Sequence, residues 1–235
     1  MKLKLTPLYI LSFLFLTFFV MELHEWAHTA AAALVGGGWG PRGFDHWGFE
    51  SNATVSNGQR AVATLAGPLV NILLLWVGWG KMGNRDSLTD QSFGCSLVLA
   101  CLPMAMLKAA VTGGGDVTIG LKLLFTSVDA THHHLIATCG LIIVIIACVP
   151  PLIRLFILLP SWLAKFVFFP IFLVLPSYLH HLIVHDLLNG WLTRFENDES
   201  LAYAWVIFWT AAIFGGWLFT RRKMENLLVD RELPL

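Results

Sequence analysis

Apolar residues in this chain come in long unbroken runs, not in the short alternating or 3.6-residue patterns of a soluble domain. Six runs reach the length of about 20 residues that a helix needs to cross a bilayer. They are residues 5–34, 61–79, 93–111, 135–159, 162–184 and 201–219, with five and seven spans as the neighbouring counts. Pro150, Pro151 and Pro160 punctuate the fourth run and predict a kink or an early end there. Residues 36–58 break the pattern. Gly36-Gly37-Gly38-Trp39-Gly40-Pro41 stops the first helix, and Phe44, Trp47 and Phe49 follow among polar neighbours. Alternation through Phe49, Asn52, Thr54 and Val55 predicts short strands. The segment reads either as an aromatic-belt loop at the membrane surface or as a small sheet or re-entrant element beside a site. The predicted fold class is an all-α polytopic membrane protein: about six transmembrane helices with a small Gly/aromatic-rich re-entrant or β element after the first.

Composition agrees. Hydrophobic residues make up 57% of the 235 and charged residues 13%, where a soluble domain carries roughly 25% charge; the mean hydropathy is +0.71. Fifteen basic and fifteen acidic side chains cancel, so no basic surface invites nucleic acid, and the expected surroundings are the lipid bilayer. Cys95, Cys101, Cys139 and Cys148 lie in apolar runs without Cys-x-x-Cys spacing, which argues against a disulfide framework or a structural zinc knuckle. Lys2 and Lys4 ahead of residues 8–20 look like the start of a signal peptide. Glu22, His24, Glu25 and His28 intervene before the small residues Ala31 to Ala33, so the segment reads as uncleaved. With six spans, Lys2, Lys4, Lys81, Arg85, Arg154, Lys165, Arg221, Arg222, Lys223 and Arg231 share one side. Arg42, Arg60, Lys122 and Arg194 share the other, and the positive-inside rule then puts both termini in the cytoplasm.

The charged residues inside the apolar runs carry the chemistry. His24-Glu25-Trp26-Ala27-His28 is an H-E-x-x-H motif. On a helix its two histidines stand about 40° apart on one face, with Glu25 about 60° from His28. Two imidazoles so placed can hold one zinc ion while the carboxylate reaches the water it activates. Burying these groups unpaired in lipid costs several kcal/mol, so they must face a polar cavity or a metal. Glu22 lies about 160° from His24 on the same wheel, and no metal-binding role follows for it.

Two histidines leave zinc short of a third protein ligand. Asp116, after Thr112-Gly113-Gly114-Gly115, is the best candidate, because three glycines allow its carboxylate to be delivered into the bundle. Asp45 and Asp186 are the rivals. In the second run, Ala66-Gly67-Pro68-Leu69-Val70-Asn71 reads alone as a kink or packing notch with an interhelical amide. Beside the H-E-x-x-H motif, Asn71 becomes a donor that could hold a substrate main chain or stabilise an oxyanion. His132, His133 and His134 read as a loop. His180, His181 and His185 beside Asp186 read as interfacial histidines at a helix end, with a second metal site or a gate as the alternative.

Three of these features together resemble the site-2 protease family of intramembrane zinc metalloproteases (peptidase family M50): the H-E-x-x-H in an early apolar helix, the Ala-Gly-Pro-Leu-Val-Asn segment in the next, and an Asp after a third. The separation of Asp116 from the first motif is also similar to the family's. The family's third ligand usually stands in an Asn-x-x-Pro…Leu-Asp-Gly context, whereas Asp116 follows glycines and precedes Val117. The resemblance covers about residues 5–125. It implies a three-helix zinc metalloprotease core over residues 1–125, with additional transmembrane helices and a short cytoplasmic tail over 126–235. It also implies one Zn2+ per chain held by His24, His28 and Asp116, and Glu25 as general base with Asn71 as an auxiliary donor. The substrate would be a transmembrane protein, whose unwound segment could pair with a strand edge in residues 36–58. Two other readings stand beside it: a zinc protease of the prenylated-protein type, which uses the same motif with Glu196 or Glu225 as third ligand, and a metal-binding transporter or assembly protein built from the several histidine clusters.

Overall fold

The computed structural model describes residues 2–125, 133–192 and 199–229. A two-residue strand β1 (Lys2–Leu3) leads into α1 (Pro7–Gly36). Thr6 caps that helix by accepting the Tyr9 amide, Pro7 takes its first turn, and Gly37 ends it at φ +86°, a left-handed cap that glycine adopts without strain. Strands β2 (Trp39–Arg42) and β3 (Trp47–Phe49) form an antiparallel hairpin in which Trp39 faces Phe49 and Arg42 faces Trp47. The helix α2 (Asn57–Lys81) opens on a capping box between Ser56 and Gln59. The third span is broken into α3 (Leu88–Ala100) and α4 (Pro103–Val111), with Leu102 at φ +49° in the joint. A short α5 (Gly115–Leu124) then turns back into the bundle.

The rest of the chain supplies three spans. Helix α6 (His133–Leu158) runs through Pro150 and Pro151 and ends two residues before Pro160. The early end is therefore not found at Pro150 and Pro151, through which the helix continues; neighbouring helices let a membrane helix tolerate the two missing amide donors. Helix α7 (Phe169–His180) is flanked by π-helical turns at Ala164–Phe168 and His181–Asn189. A three-residue α8 (Gly190–Leu192) and the last span, α9 (Glu199–Thr220), complete the helices. A 3₁₀ turn (Arg221–Asn226) then leads to β4 (Leu228–Val229), which pairs antiparallel with β1. Six helical stretches are long and apolar enough to cross a membrane, and the only strands among the described residues are these two small pairs. The protein is an all-α polytopic membrane protein.

Two apolar clusters hold the bundle. Near the termini, Tyr9, Phe13 and Leu16 of α1 meet Leu75 of α2, Val98 of α3 and Cys148 of α6, and the Tyr9 hydroxyl bonds the Ser96 hydroxyl at 3.0 Å. Nearer the hairpin, Phe18, Phe44, Val184, Val206 and Ile213 join α1, the hairpin, the turn after α7 and α9. Large apolar side chains such as Ile146, Ile157, Phe166 and Phe208 point outward, as a lipid-facing surface requires. The strands expected around Asn52, Thr54 and Val55 lie instead at Trp39–Arg42 and Trp47–Phe49. Gly40 decides this register, because a side chain there would overlap the backbone of Gly48 and Phe49 across the hairpin.

Candidate metal centre

His24 and His28 sit one turn apart in the second half of α1, both buried. Their Nε2 atoms approach to 3.0 Å, with ring planes at 84°. Three neighbours set the His28 ring. Its Nδ1–H donates to the Ala63 carbonyl of α2 at 2.7 Å, which leaves the lone pair on Nε2. Trp47 of the hairpin stacks on it at 5.1 Å and 14°. Gly67 of α2 lies against its edge, where a methyl group would overlap the ring.

Asp116 reaches this pair from the other side. After α4, Gly113 (φ +71°) and Gly115 (φ +76°) turn the chain through left-handed conformations, so that Asp116 falls in the first turn of α5. Its Oδ2 lies 3.2 Å from His24 Nε2 and 3.5 Å from His28 Nε2. One ligand atom from each of the three residues falls within 4.8 Å of the others. Two imidazole nitrogens and a carboxylate oxygen crowded together in a buried site repel unless a cation or proton lies between them. Two nitrogens and one oxygen are also a common donor set for zinc; the residues fit the ion.

Glu25, 8% exposed, has an Oε2 with no hydrogen-bond partner among the described residues. A buried carboxylate oxygen left so is costly unless it serves something that comes to the site. The nearest cation is Arg42, whose Nη1 stands 4.0 Å away. Asn71 is buried on α2, and its Oδ1 also lacks a partner among the described residues. With Met21, His24, Pro68 and Asp116 it lines a cavity of about 180 Å³, room for several waters or one extended residue.

The rival carboxylates are engaged elsewhere. Asp45 sits in the hairpin turn, which does fold over the site, yet its carboxylate accepts from His185 Nδ1 at 2.7 Å and from Asn189 Nδ2. Burial alone would raise its pKa, but hydrogen bonds from His46, His185 and Asn189 outweigh that and hold it well below the usual carboxylate range. Asp186 lies beside His181 and His185 on the surface. His133 and His134 are exposed at the start of α6. His132, Glu196 and the side chain of Glu225 fall outside the described residues.

The hairpin and α9 bring residues that the motifs did not single out. Arg42 is 3% exposed and donates from Nη2 to Glu22 Oε2 at 3.1 Å; its guanidinium lies 5.5 Å from the Trp26 ring centre. Glu22 also accepts from Thr210 of α9 at 3.1 Å, and Thr210 accepts from Trp26 Nε1 at 3.1 Å. A usable signal existed: Glu22 is an acid in an apolar run, and Arg42 is the only Lys or Arg in 36–58. Ions at such depth need a partner. Comparisons of the chain with protein-family models, curated proteins and solved structures find no match.

Proposed function

We propose that this protein is an intramembrane zinc metalloprotease of the site-2 protease type, hydrolysing peptide bonds of membrane-spanning substrates. The carrying observation is the convergence of His24, His28 and Asp116 on one point beside the buried Glu25 carboxylate, whose Oε2 accepts no hydrogen bond among the described residues, inside a bundle of apolar helices. His24, His28 and Asp116 would hold a Zn2+ ion, which when bound acidifies water and polarises a carbonyl. Glu25 takes the proton of the attacking water and passes it to the leaving amine. Asn71, at the wall of the same cavity, would donate from its amide to a substrate carbonyl. The outer edge of β3 is free of a strand partner among the described residues and offers main-chain pairing to an extended substrate segment. Outward-facing apolar surface on the later spans suits the lipid bilayer.

The test is Glu25→Gln in detergent-purified protein supplied with single-span model substrates. The neutral amide cannot accept the water proton, so cleavage is expected to fall by roughly 10²–10⁴-fold while bound zinc stays at the parent level. A metal transporter or assembly protein does not depend on a proton-accepting carboxylate. A variant that cleaves at the parent rate, or a parent that never cleaves, removes the protease reading.

A further inference from the structure

A second group of metal-ligating side chains lies outside this centre, at the end of the fifth span. His181, His185 and Asp186 each present a ligand atom within 4.8 Å of the others. The local backbone is the reason. Residues His181–Asn189 are π-helical, and a π-turn holds about 4.4 residues, so positions i+4 and i+5 flank position i. In an α-helix, Asp186 would stand about 140° around the axis from His181. Here its Oδ1 is 3.9 Å from His181 Nε2, and the His181 and His185 rings stack at 4.7 Å and 15°.

An orienting contact supports the group from a different element. The Asp45 carboxylate, in the hairpin turn, accepts the His185 Nδ1–H at 2.7 Å, and Asn189 Nδ2 donates to its other oxygen. That bond assigns the tautomer and leaves the lone pair on His185 Nε2. A carboxylate behind the distal nitrogen is how proteins orient and strengthen a histidine that binds a metal. All three ligands are more than half exposed at the end of the span, so the group lies open at the surface of the protein.

We propose that His181, His185 and Asp186 form a second divalent-metal site, of the borderline-soft class that imidazole with carboxylate selects and Zn2+ represents, with Asp45 as its positioning residue. Asp45 belongs to the hairpin that lays Trp47 and Arg42 over the first centre. The Asp45–His185 and Asp45–Asn189 bonds tie that hairpin to the π-helical turn after α7, and an ion on His185 would strengthen the first of them. The inference stands apart from the proteolytic reading, since it uses none of the same ligands.

Zinc binding to the full-length protein in detergent tests it. A His24→Ala/His28→Ala variant, which lacks the first centre, is expected to bind one Zn2+ per chain. Adding His181→Ala and His185→Ala should abolish that binding. Asp45→Asn in the same background should weaken it about 10- to 100-fold, an effect that a casual pair of surface histidines would not show. Should the first-centre variant fold poorly, the parent protein serves: His181→Ala, an exposed change, must lower its zinc content by one equivalent. Unchanged zinc content on His181→Ala, or unchanged affinity on Asp45→Asn, overturns the proposal.

Discussion

His28 shows how closely single residues set this centre. Its ring is fixed by the Ala63 carbonyl, by Trp47 and by the bare edge of Gly67. Gly67→Ala would ordinarily favour a helix by roughly 1 kcal/mol. Here the added methyl overlaps the imidazole, and overpacking a buried site costs about 1–3 kcal/mol. The steric loss wins. Gly67→Ala is expected to lower the thermal midpoint and to weaken zinc retention, both measurable on purified protein; a variant with parent stability and zinc would show that the His28 ring can retreat. The H-E-x-x-H spacing was legible because helical periodicity alone puts both histidines on one face. The role of Gly67 was not, since a notch for a neighbouring side chain looks in sequence like any other small residue in a membrane helix.

At the scale of elements, the hairpin does most to close the centre. Arg42 of β2 reaches back to Glu22 of α1, and both are at most 3% exposed. Removing one partner of a buried pair strands the other charge, at about 3–5 kcal/mol, whereas replacing both with apolar groups is often close to neutral. Arg42→Met is therefore expected to destabilise the protein strongly, and Glu22→Met/Arg42→Met to recover much of that loss. A double-mutant cycle by thermal or denaturant unfolding measures the coupling, and strictly additive effects would mean that the two side chains are not a pair. The glycines and aromatics marked residues 36–58 as unlike their surroundings, yet alternation placed strands too late in the chain. Exposure does alternate along β2, with Trp39 and Pro41 outward and Gly40 and Arg42 inward, but the buried positions are a glycine and an arginine, so no alternation of apolar residues marks that strand in the sequence. Cross-strand clearance at Gly40 sets the register instead. The Gly113 to Gly115 run was informative for the opposite reason: two of its members need positive φ, which is a property of the residue itself.

For the whole molecule, the number of spans followed from run length, and the pairing of β1 with β4 removes the five- and seven-span alternatives. That pairing sets residues 2–3 against 228–229, so both ends of the chain lie on one side and the spans are even in number. What run length could not convey is how the later spans take part. Thr210 of α9 holds Glu22, and Asn189 with His185 holds the hairpin, long-range contacts with no local pattern in sequence. Charge predicts the orientation. Lys2, Lys4, Lys81, Arg85, Arg154, Lys165, Arg221, Arg222 and Lys223 fall at the end of the bundle that carries the termini. Arg42, Arg60, Lys108 and Lys122 fall toward the hairpin end, and Arg42 is buried against Glu22, which further lowers the free positive charge there. The positive-inside rule therefore predicts cytoplasmic termini, with the candidate metal centre, past the midpoint of α1, in the opposite half of the bundle. A green fluorescent protein fused to the C-terminus and expressed in a bacterial host should fluoresce, and an alkaline phosphatase fused at the same point should be inactive. The reverse pair of results would invert the bundle, place the hairpin and both metal-ligand groups on the cytoplasmic side, and mean that residues other than the flanking Lys and Arg set its orientation.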